Sequence, residues 1–420
     1  MTDEEKAVEA LQKEAEAKEK AAKKAEQKRR RTANRLAAEA AIAFFGKMSP
    51  ITADLLDLMK TIGRQEARNL VDAYYTFQGI RIETMNRLDA AYSGKDDQPC
   101  RVLAYVAFQT EGLENQLKRA LLAYVQGRPE GRWLLGRYGM GPVLSAGIIA
   151  YIDMEIAKTH GHIYSFAGLD PSKTWLGGKK TEALLEDFGI PKDGAKKLEQ
   201  DLVTKVLNTA SKLSGVKIEA YQRQLVNLAN ESREDDKLTW ATLQGLIKGK
   251  MLYQIISRRP WNASFKTLCW KIGETMRMRQ NKPYFYPQLW LQRKAYEDGR
   301  NDAGELAEYA ALCLTKKKIG KQTDAYKAYI KGRLPPAHII NRVNRWIAML
   351  LLSHYWEVAY EIHYGVKPPF NPYILDHPKE GQHVHKIEVP RDDEKAGRVT
   401  ADEDFDDIPV ADVDEGDAEE

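Results

Sequence analysis

The stretch Leu134-Leu135-Gly136-Arg137-Tyr138-Gly139-Met140-Gly141-Pro142-Val143-Leu144-Ser145-Ala146-Gly147-Ile148-Ile149-Ala150 decides how the rest of the chain is read. Two apolar runs flank Gly-Met-Gly, which is the layout of a helix, a tight glycine turn and a second helix. Gly139 and Gly141 are free to take backbone angles closed to other residues, and Pro142 suits the first position of a helix. Met140 is expected to point inward and lock the turn, while Ser145, Ala146 and Gly147 are small enough for close helix contact. The bare amides at the start of the second helix, together with the positive end of its dipole, would then face outward as a phosphate seat. Such a seat grips sugar and phosphate and is indifferent to base sequence. The competing readings are an ordinary tight turn and a dinucleotide-binding loop. The latter needs a preceding strand and a third glycine at a set spacing, and both are missing.

Outward from this stretch the pattern is helical on both sides. Before it, from Ser49 to about Gln126, apolar residues recur at Leu55, Leu58, Met59 and Ile62, and again at Leu103, Val106, Leu113 and Leu117. These spacings fit a helical repeat, and the turn-rich segment Ser93-Gly94-Lys95-Asp96-Asp97-Gln98-Pro99 separates the two runs. A helical hairpin or coiled coil is expected over 49–128, with a surface for a homodimer. Beyond the glycine turn, 180–257 reads as an inserted helical subdomain broken at Ile190 to Gly194 and at Asn230 to Ser232. Phe265 to Arg279 reads as a basic helix. Pro336 to Tyr360 reads as a long one with Ile340, Val343, Ile347, Leu350, Leu351 and Val358 on one side. The fold class is therefore all-α. Residues 1–48 form a charged arm with a basic cluster from Lys23 to Arg35, and 371–420 form a His-containing segment and an acidic tail without periodicity.

Charge sets the kind of partner. The chain as a whole carries +4, but residues 391–420 hold fourteen acids against three bases, which leaves −11 there and +15 on the first 390 residues. A body of that sign suits a polyanion, DNA or a structured RNA; a merely solvated basic surface is the alternative. No apolar run approaches the ~20 residues of a membrane span, and the charged N-terminus lacks the apolar block of a secretory signal. Cys100, Cys269 and Cys313 are too few and too scattered for a disulfide framework or a zinc site. A cytoplasmic protein without membrane contact or cofactor is expected. Three histidines, His377, His383 and His385, gather beside Asp376 as a candidate metal set, against a polar-surface role. His160 and His162 read as solvent-facing. Trp261, Trp270, Tyr284, Phe285, Tyr286 and Trp290 alternate with bases, which fits either stacking on unpaired nucleotides or core packing.

Several boxes in order resemble a known family. Gly139-Met140-Gly141-Pro142-Val143, then Tyr164-Ser165-Phe166-Ala167-Gly168-Leu169-Asp170-Pro171, then Gly177-Gly178-Lys179 are similar to the GVGP hairpin, the "yAGLxP" segment and the Ser-Gly-Gly-Lys turn of DEDD-type insertion-sequence transposases, the bridge-RNA-guided recombinases. Arg259-Pro260-Trp261-Asn262-Ala263-Ser264-Phe265-Lys266 resembles that family's Lys-Arg-Gly-Asn-x-x-Leu-Arg box, and Arg68-Asn69-Leu70-Val71 with Asn86-Arg87-Leu88 resembles its coiled coil. The resemblance covers about 64–179 and 258–365, with the segment between as an insertion.

It implies a DNA-holding, transposase-like domain in two parts, 129–179 and 258–370. The implied contacts are Arg137, Gly139, Met140, Gly141, Val143 and Ser145 in the turn, and Lys173, Lys179 and Lys180 around the Gly-Gly-Lys box. Arg258, Arg259, Asn262 and Lys266 complete them. It also implies a bacterial or phage origin and a place in DNA recombination or transposition. Two departures argue against catalysis by this chain. The family's RuvC-like domain with its metal-binding acids has no counterpart before residue 49, and Trp175-Leu176 stand where its nucleophilic serine belongs. Neither side chain can attack a phosphodiester, and Ser172 is a poor substitute several residues away. The remaining alternatives are a transposase subunit completed by a separate catalytic chain, and a coiled-coil scaffold.

Overall fold

The computed structural model describes residues 49–92, 100–231, 233, 236–316, 319–369 and 387–393, with scattered positions between 18 and 36. The His377–His385 cluster, most of the N-terminal arm and the acidic tail beyond 393 lie outside the described residues. Among the described residues there are sixteen α-helices, one 3-10 turn and no strand beyond an isolated bridge between Lys197 and Lys248, so the protein is all-α. The chain divides into two units, one running up to Gly131 and the other starting at Arg132.

The first unit is built from α1 (Ala53–Met59), α2 (Arg64–Tyr92) and α3 (Arg101–Gln126). Arg81 pairs with Glu114 at 2.6 Å, and Leu88 packs with Ala104 and Ala107, so α2 and α3 run antiparallel. Arg128 ties the other end, donating to the Lys60, Ile62 and Tyr124 carbonyls. The buried line of α3 is Ala104, Ala107, Thr110, Glu114, Lys118, Leu121 and Val125. This spacing of three and four is that of a coiled-coil seam, displaced by one position from the expected stripe. Leu103, Leu113 and Leu117 are only half-buried and Val106 is exposed, as are Leu55 and Leu58 on α1. The reason is close approach. Alanines let the two backbones come together and an internal ion pair fills the middle, so the larger side chains are pushed to the flanks.

The boundary between the units falls within α4 (Pro129–Leu135), whose end leads, in the second unit, through the glycine turn to α5 (Pro142–Tyr151). Every residue of α5 is buried. A helix apolar on all sides has no solvent face and belongs at the centre of a core. Fully burying Leu144, Ile148 and Ile149 contributes about 1.5–3 kcal/mol each. This helix packs against α12 (Ala263–Met278), which forms a wall with α13 (Phe285–Asp302) and α16 (Pro336–Tyr364).

Glycines set the closest approaches in this wall. A Cβ on Gly147 would lie 2.6 Å from Leu268, and one on Gly273 would lie 2.6 Å from Asn344. Asn344 is the polar pin, accepting from Trp290 Nε1 (2.8 Å) and donating to Glu274 (2.6 Å). On α16 the expected stripe holds at Val343, Ile347, Leu350, Leu351 and Val358. Ile339 takes the buried place expected for Ile340, which is half-buried.

The segment 176–256 carries a core of its own. It is drawn from α7 (Gly177–Glu186), α8 (Gln200–Ser214), α9 (Ile218–Asn230), α10 (Trp240–Leu243) and α11 (Gly249–Ile256). Leu185, Val206, Leu207, Leu225, Leu252 and Ile255 are at its centre. The helices α6 (His160–Phe166), α14 (Ala307–Lys316) and α15 (Asp324–Ile330) complete the unit.

A C-terminal strap, residues 387–393, lies on the same unit. His354 Nε2 bonds the Ile387 carbonyl at 3.1 Å, Trp133 Nε1 donates to the Pro390 carbonyl at 2.9 Å, and Arg137 donates to the Asp392 carbonyl. Arg391 forks onto Glu357 (3.1 Å) and Glu361 (2.8 Å).

Candidate nucleic-acid interface

The glycine turn is built as its sequence suggests, but it faces the wrong way for a ligand. Gly139 takes φ +90°, a conformation that favours glycine, and Met140 is fully buried. Gly141 has ordinary extended angles and is the N-cap of α5, with Pro142 at the first helical position. A Cβ on Gly139 would meet Met276 Sδ at 3.1 Å and one on Gly136 would meet the Asp393 carboxylate at 2.9 Å. Arg137 is 1% exposed beneath the strap, and Gly141, Val143 and Ser145 are buried. The expectation that Arg137, Gly139, Met140, Gly141, Val143 and Ser145 contact a nucleic acid is therefore corrected. The second helix is so apolar that folding buries its start as well as its flanks, which leaves no outward amides.

The other seven expected contacts are brought together at a seam between two chain segments. The first runs from the end of α6 through the loop into the first turn of α7, residues 165–180. Here Gly168 turns with φ +64° and Asp170 Oδ1 accepts from the amide (3.0 Å) and hydroxyl (2.7 Å) of Ser172. The second is 257–266, leading into α12, where Asn262 caps the helix by accepting from the Phe265 amide at 2.8 Å. The Asn262 amide donates to the Phe166 carbonyl at 2.9 Å, and Trp175 Nε1 donates to the Ser257 carbonyl at 2.8 Å, so the segments are stitched at both ends.

Each stitch carries an indole with a cation on it. The Arg259 guanidinium lies 4.6 Å from the Trp175 ring centre, and the Lys266 ammonium 4.4 Å from that of Trp261. Cations over indole faces are attracted by the ring quadrupole. Glycines sit against the same rings. A Cβ on Gly168 would fall 2.6 Å from Trp261 Cγ, and one on Gly177 would fall 3.6 Å from Trp175. Lys173 reaches Ser165 Oγ, while Lys179, Lys180, Arg258 and Arg259 are exposed. None of these last four has an acidic partner among the described residues. The helix α7 has Leu176 at its N-cap position with no side-chain cap, and its first turn is Gly177-Gly178-Lys179-Lys180. The seam thus offers six cations and one uncapped helix start, the elements of a phosphate-binding surface.

Asn262 is a capping residue here, not a free contact. Ser172 is tied to Asp170, its amide and hydroxyl both donating to that carboxylate within a local turn. Trp175 and Leu176 hold the loop and the α7 cap, which explains in packing terms why they occupy that position. Of the aromatic series, Tyr286 and Trp290 are core residues. Tyr284 stacks on Tyr138 at 3.8 Å and Phe285 lies edge-on to Tyr286 at 5.1 Å, so that run is packing and not a base-stacking platform.

His162 is exposed as expected. His160 instead is half-buried against Tyr164 and Trp356, and burial lowers its pKa. Among the described residues no group of His, Cys, Asp and Glu is placed to hold a metal, and no helix is long and apolar enough to cross a membrane. Sequence reading missed Trp175 and Trp261 as holders of cations: Lys266 stands five positions after Trp261, a local signal, but the Arg259 that lies on Trp175 comes from the other segment and only the fold brings it there. Comparison with models of protein families, with curated proteins and with solved structures gives no match.

Proposed function

We propose that this protein binds the sugar-phosphate backbone of DNA through the seam formed by 165–180 and 257–266. In this reading it acts as the DNA-holding part of a transposase-like recombination system. The observation that carries the proposal is the gathering of Lys173, Lys179, Lys180, Arg258, Arg259 and Lys266 on two segments 80 or so positions apart in sequence, with two of them held on indole rings. Fixing an arginine or lysine in place before the ligand arrives lowers the ordering cost of binding. Point charges and backbone amides read phosphates and not base edges, so binding is indifferent to sequence and steeply dependent on salt. The resemblance to DEDD-type transposases supports the choice of DNA as the polyanion, with the grip on the Gly-Gly-Lys and Arg-Pro-Trp-Asn boxes and the glycine hairpin serving as their foundation. The absence of a nucleophile at 175–176 supports binding without strand cleavage by this chain.

The test is a titration with labelled duplex DNA of mixed sequence at several salt concentrations, comparing the parent with Arg259→Ala and Lys266→Ala. The parent should show log K falling linearly with log salt, and each substitution should reduce the slope by about 1. A parent that ignores duplex at low salt, or variants with the parental slope, would overturn the assignment.

A further inference from the structure

The inserted segment 176–256 has its own core, and its α8–α9 turn touches the interface loop. The Ser214 carbonyl accepts from the Thr174 amide at 2.8 Å. Gly215, at φ +70°, lies so close beneath the loop that a Cβ there would stand 2.1 Å from the Ser172 carbonyl oxygen and 3.6 Å from Lys173 Cα. Behind that turn, the buried Ser214 hydroxyl accepts from Tyr221 OH at 2.8 Å and from the Val216 amide at 3.1 Å. Tyr221 belongs to the subdomain core. A continuous path of contacts therefore leads from that core through Tyr221, Ser214 and Gly215 to the backbone of Ser172, Lys173 and Thr174. Two further ties act on the same loop. Trp175 bonds the Ser257 carbonyl where the chain leaves the segment, and Tyr253 OH would lie 2.9 Å from a Cβ on Gly178.

We infer that the inserted subdomain is the positioning device of the interface: its Ser214–Gly215 turn sets the loop that presents Lys173 beside the cations of 258–266. This rests on the binding function proposed above and gives the insertion a role within it. Gly215, Ser214 and Tyr221 are positioning residues, acting through Lys173 and touching no ligand themselves. Gly215 is the sharpest of them, because any side chain both strains a left-handed backbone and drives into the loop.

The experiment compares the parent, Gly215→Ala, Lys173→Ala and the double variant, each shown by circular dichroism to be helical and by thermal melting to unfold cooperatively. The readout is the affinity for duplex DNA as a function of salt. Gly215→Ala should bind several-fold more weakly with a salt slope lower by about 1, the loss of one phosphate contact. The double variant should be no worse than Lys173→Ala alone, since both changes remove the same contact. A merely structural role lowers the melting temperature without moving the slope of the folded protein. Tyr221→Phe, which deletes one hydroxyl, is the milder variant should Gly215→Ala fail to fold, and it should move the slope in the same direction. A parent that binds, with Gly215→Ala or Tyr221→Phe at the parental slope or with additive losses in the double variant, overturns the positioning role alone. A parent that does not bind overturns the function on which it rests.

Discussion

At the level of single residues, glycine is used in two opposite senses. Gly168 makes room for the Trp261 indole that holds a cation at the seam, whereas Gly139 makes room for Met276 in the core. The Gly-Met-Gly motif invites a ligand-facing interpretation, and that interpretation separates from a structural one by the kind of damage a side chain does. Gly139→Val places a β-branched residue at φ +90° with its Cβ about the Met276 sulfur, so it costs stability by strain and overpacking together. A loss of about 2–4 kcal/mol is expected, seen as a lower midpoint in denaturant unfolding. The salt slope of DNA binding by the molecules that remain folded should stay parental. A variant that unfolds like the parent yet loses DNA would return the hairpin to the interface.

Elements show where sequence reading succeeds and where it stops. The presence of α12 and α16 follows from apolar spacing, a local signal, whereas Asn262 caps α12 in place of the nucleic-acid contact expected of it. The phase of α3 does not follow, because the part of its seam from Ala104 through Ala107, Thr110 and Glu114 to Lys118 contains no large apolar residue to announce it, and Leu121 and Val125 come only at its end. Its pairing with α2 decides which face is inside, and that pairing is invisible within α3 alone. The burial of α5 is legible in its composition, yet the attraction of a phosphate-turn motif points to the opposite conclusion.

The Arg81–Glu114 pair makes the seam testable. With side chains 18% and 6% exposed, Glu114→Ala should cost about 3 kcal/mol by leaving an arginine poorly compensated, while Arg81→Met with Glu114→Leu should recover most of it. A double variant no better than the single one would show that the pair is not the internal filler of this hairpin. On α16, His354 is pushed down to about 4 by burial, with Arg391 and Arg137 adding to the effect against the bond to the Ile387 carbonyl. Its ring bridges Tyr286 OH (2.9 Å) and that carbonyl, so it is held neutral. The unfolded chain, with a histidine near ~6.5, takes up a proton first. Stability is therefore full above that value and falls as the pH is lowered toward 4. Melting temperature against pH should show this decline, and His354→Gln should flatten it; an unchanged slope in the variant would assign the decline to other groups.

For the molecule as a whole, the strap and the tail it leads into have separable consequences. The strap holds the second unit by five ties, with Val389 buried beneath it and Arg391 forked between two glutamates. The tail from 394 onward contributes charge, twelve acids against two bases, on a body that is otherwise strongly basic. If the seam binds DNA as proposed, a polyanion tethered to the same basic chain competes with the DNA through effective concentration. Ending the chain after Asp393 should therefore tighten duplex binding, most at low salt where the competing charges are least screened, and leave the melting temperature unchanged. Ending it before Ile387 should remove the strap as well, which uncovers Arg137 and Trp133 and lowers the melting temperature by several degrees. Parallel melts and titrations of the two truncations separate the effects. If the shorter truncation leaves affinity where it was, the acidic tail does not compete for the proposed seam.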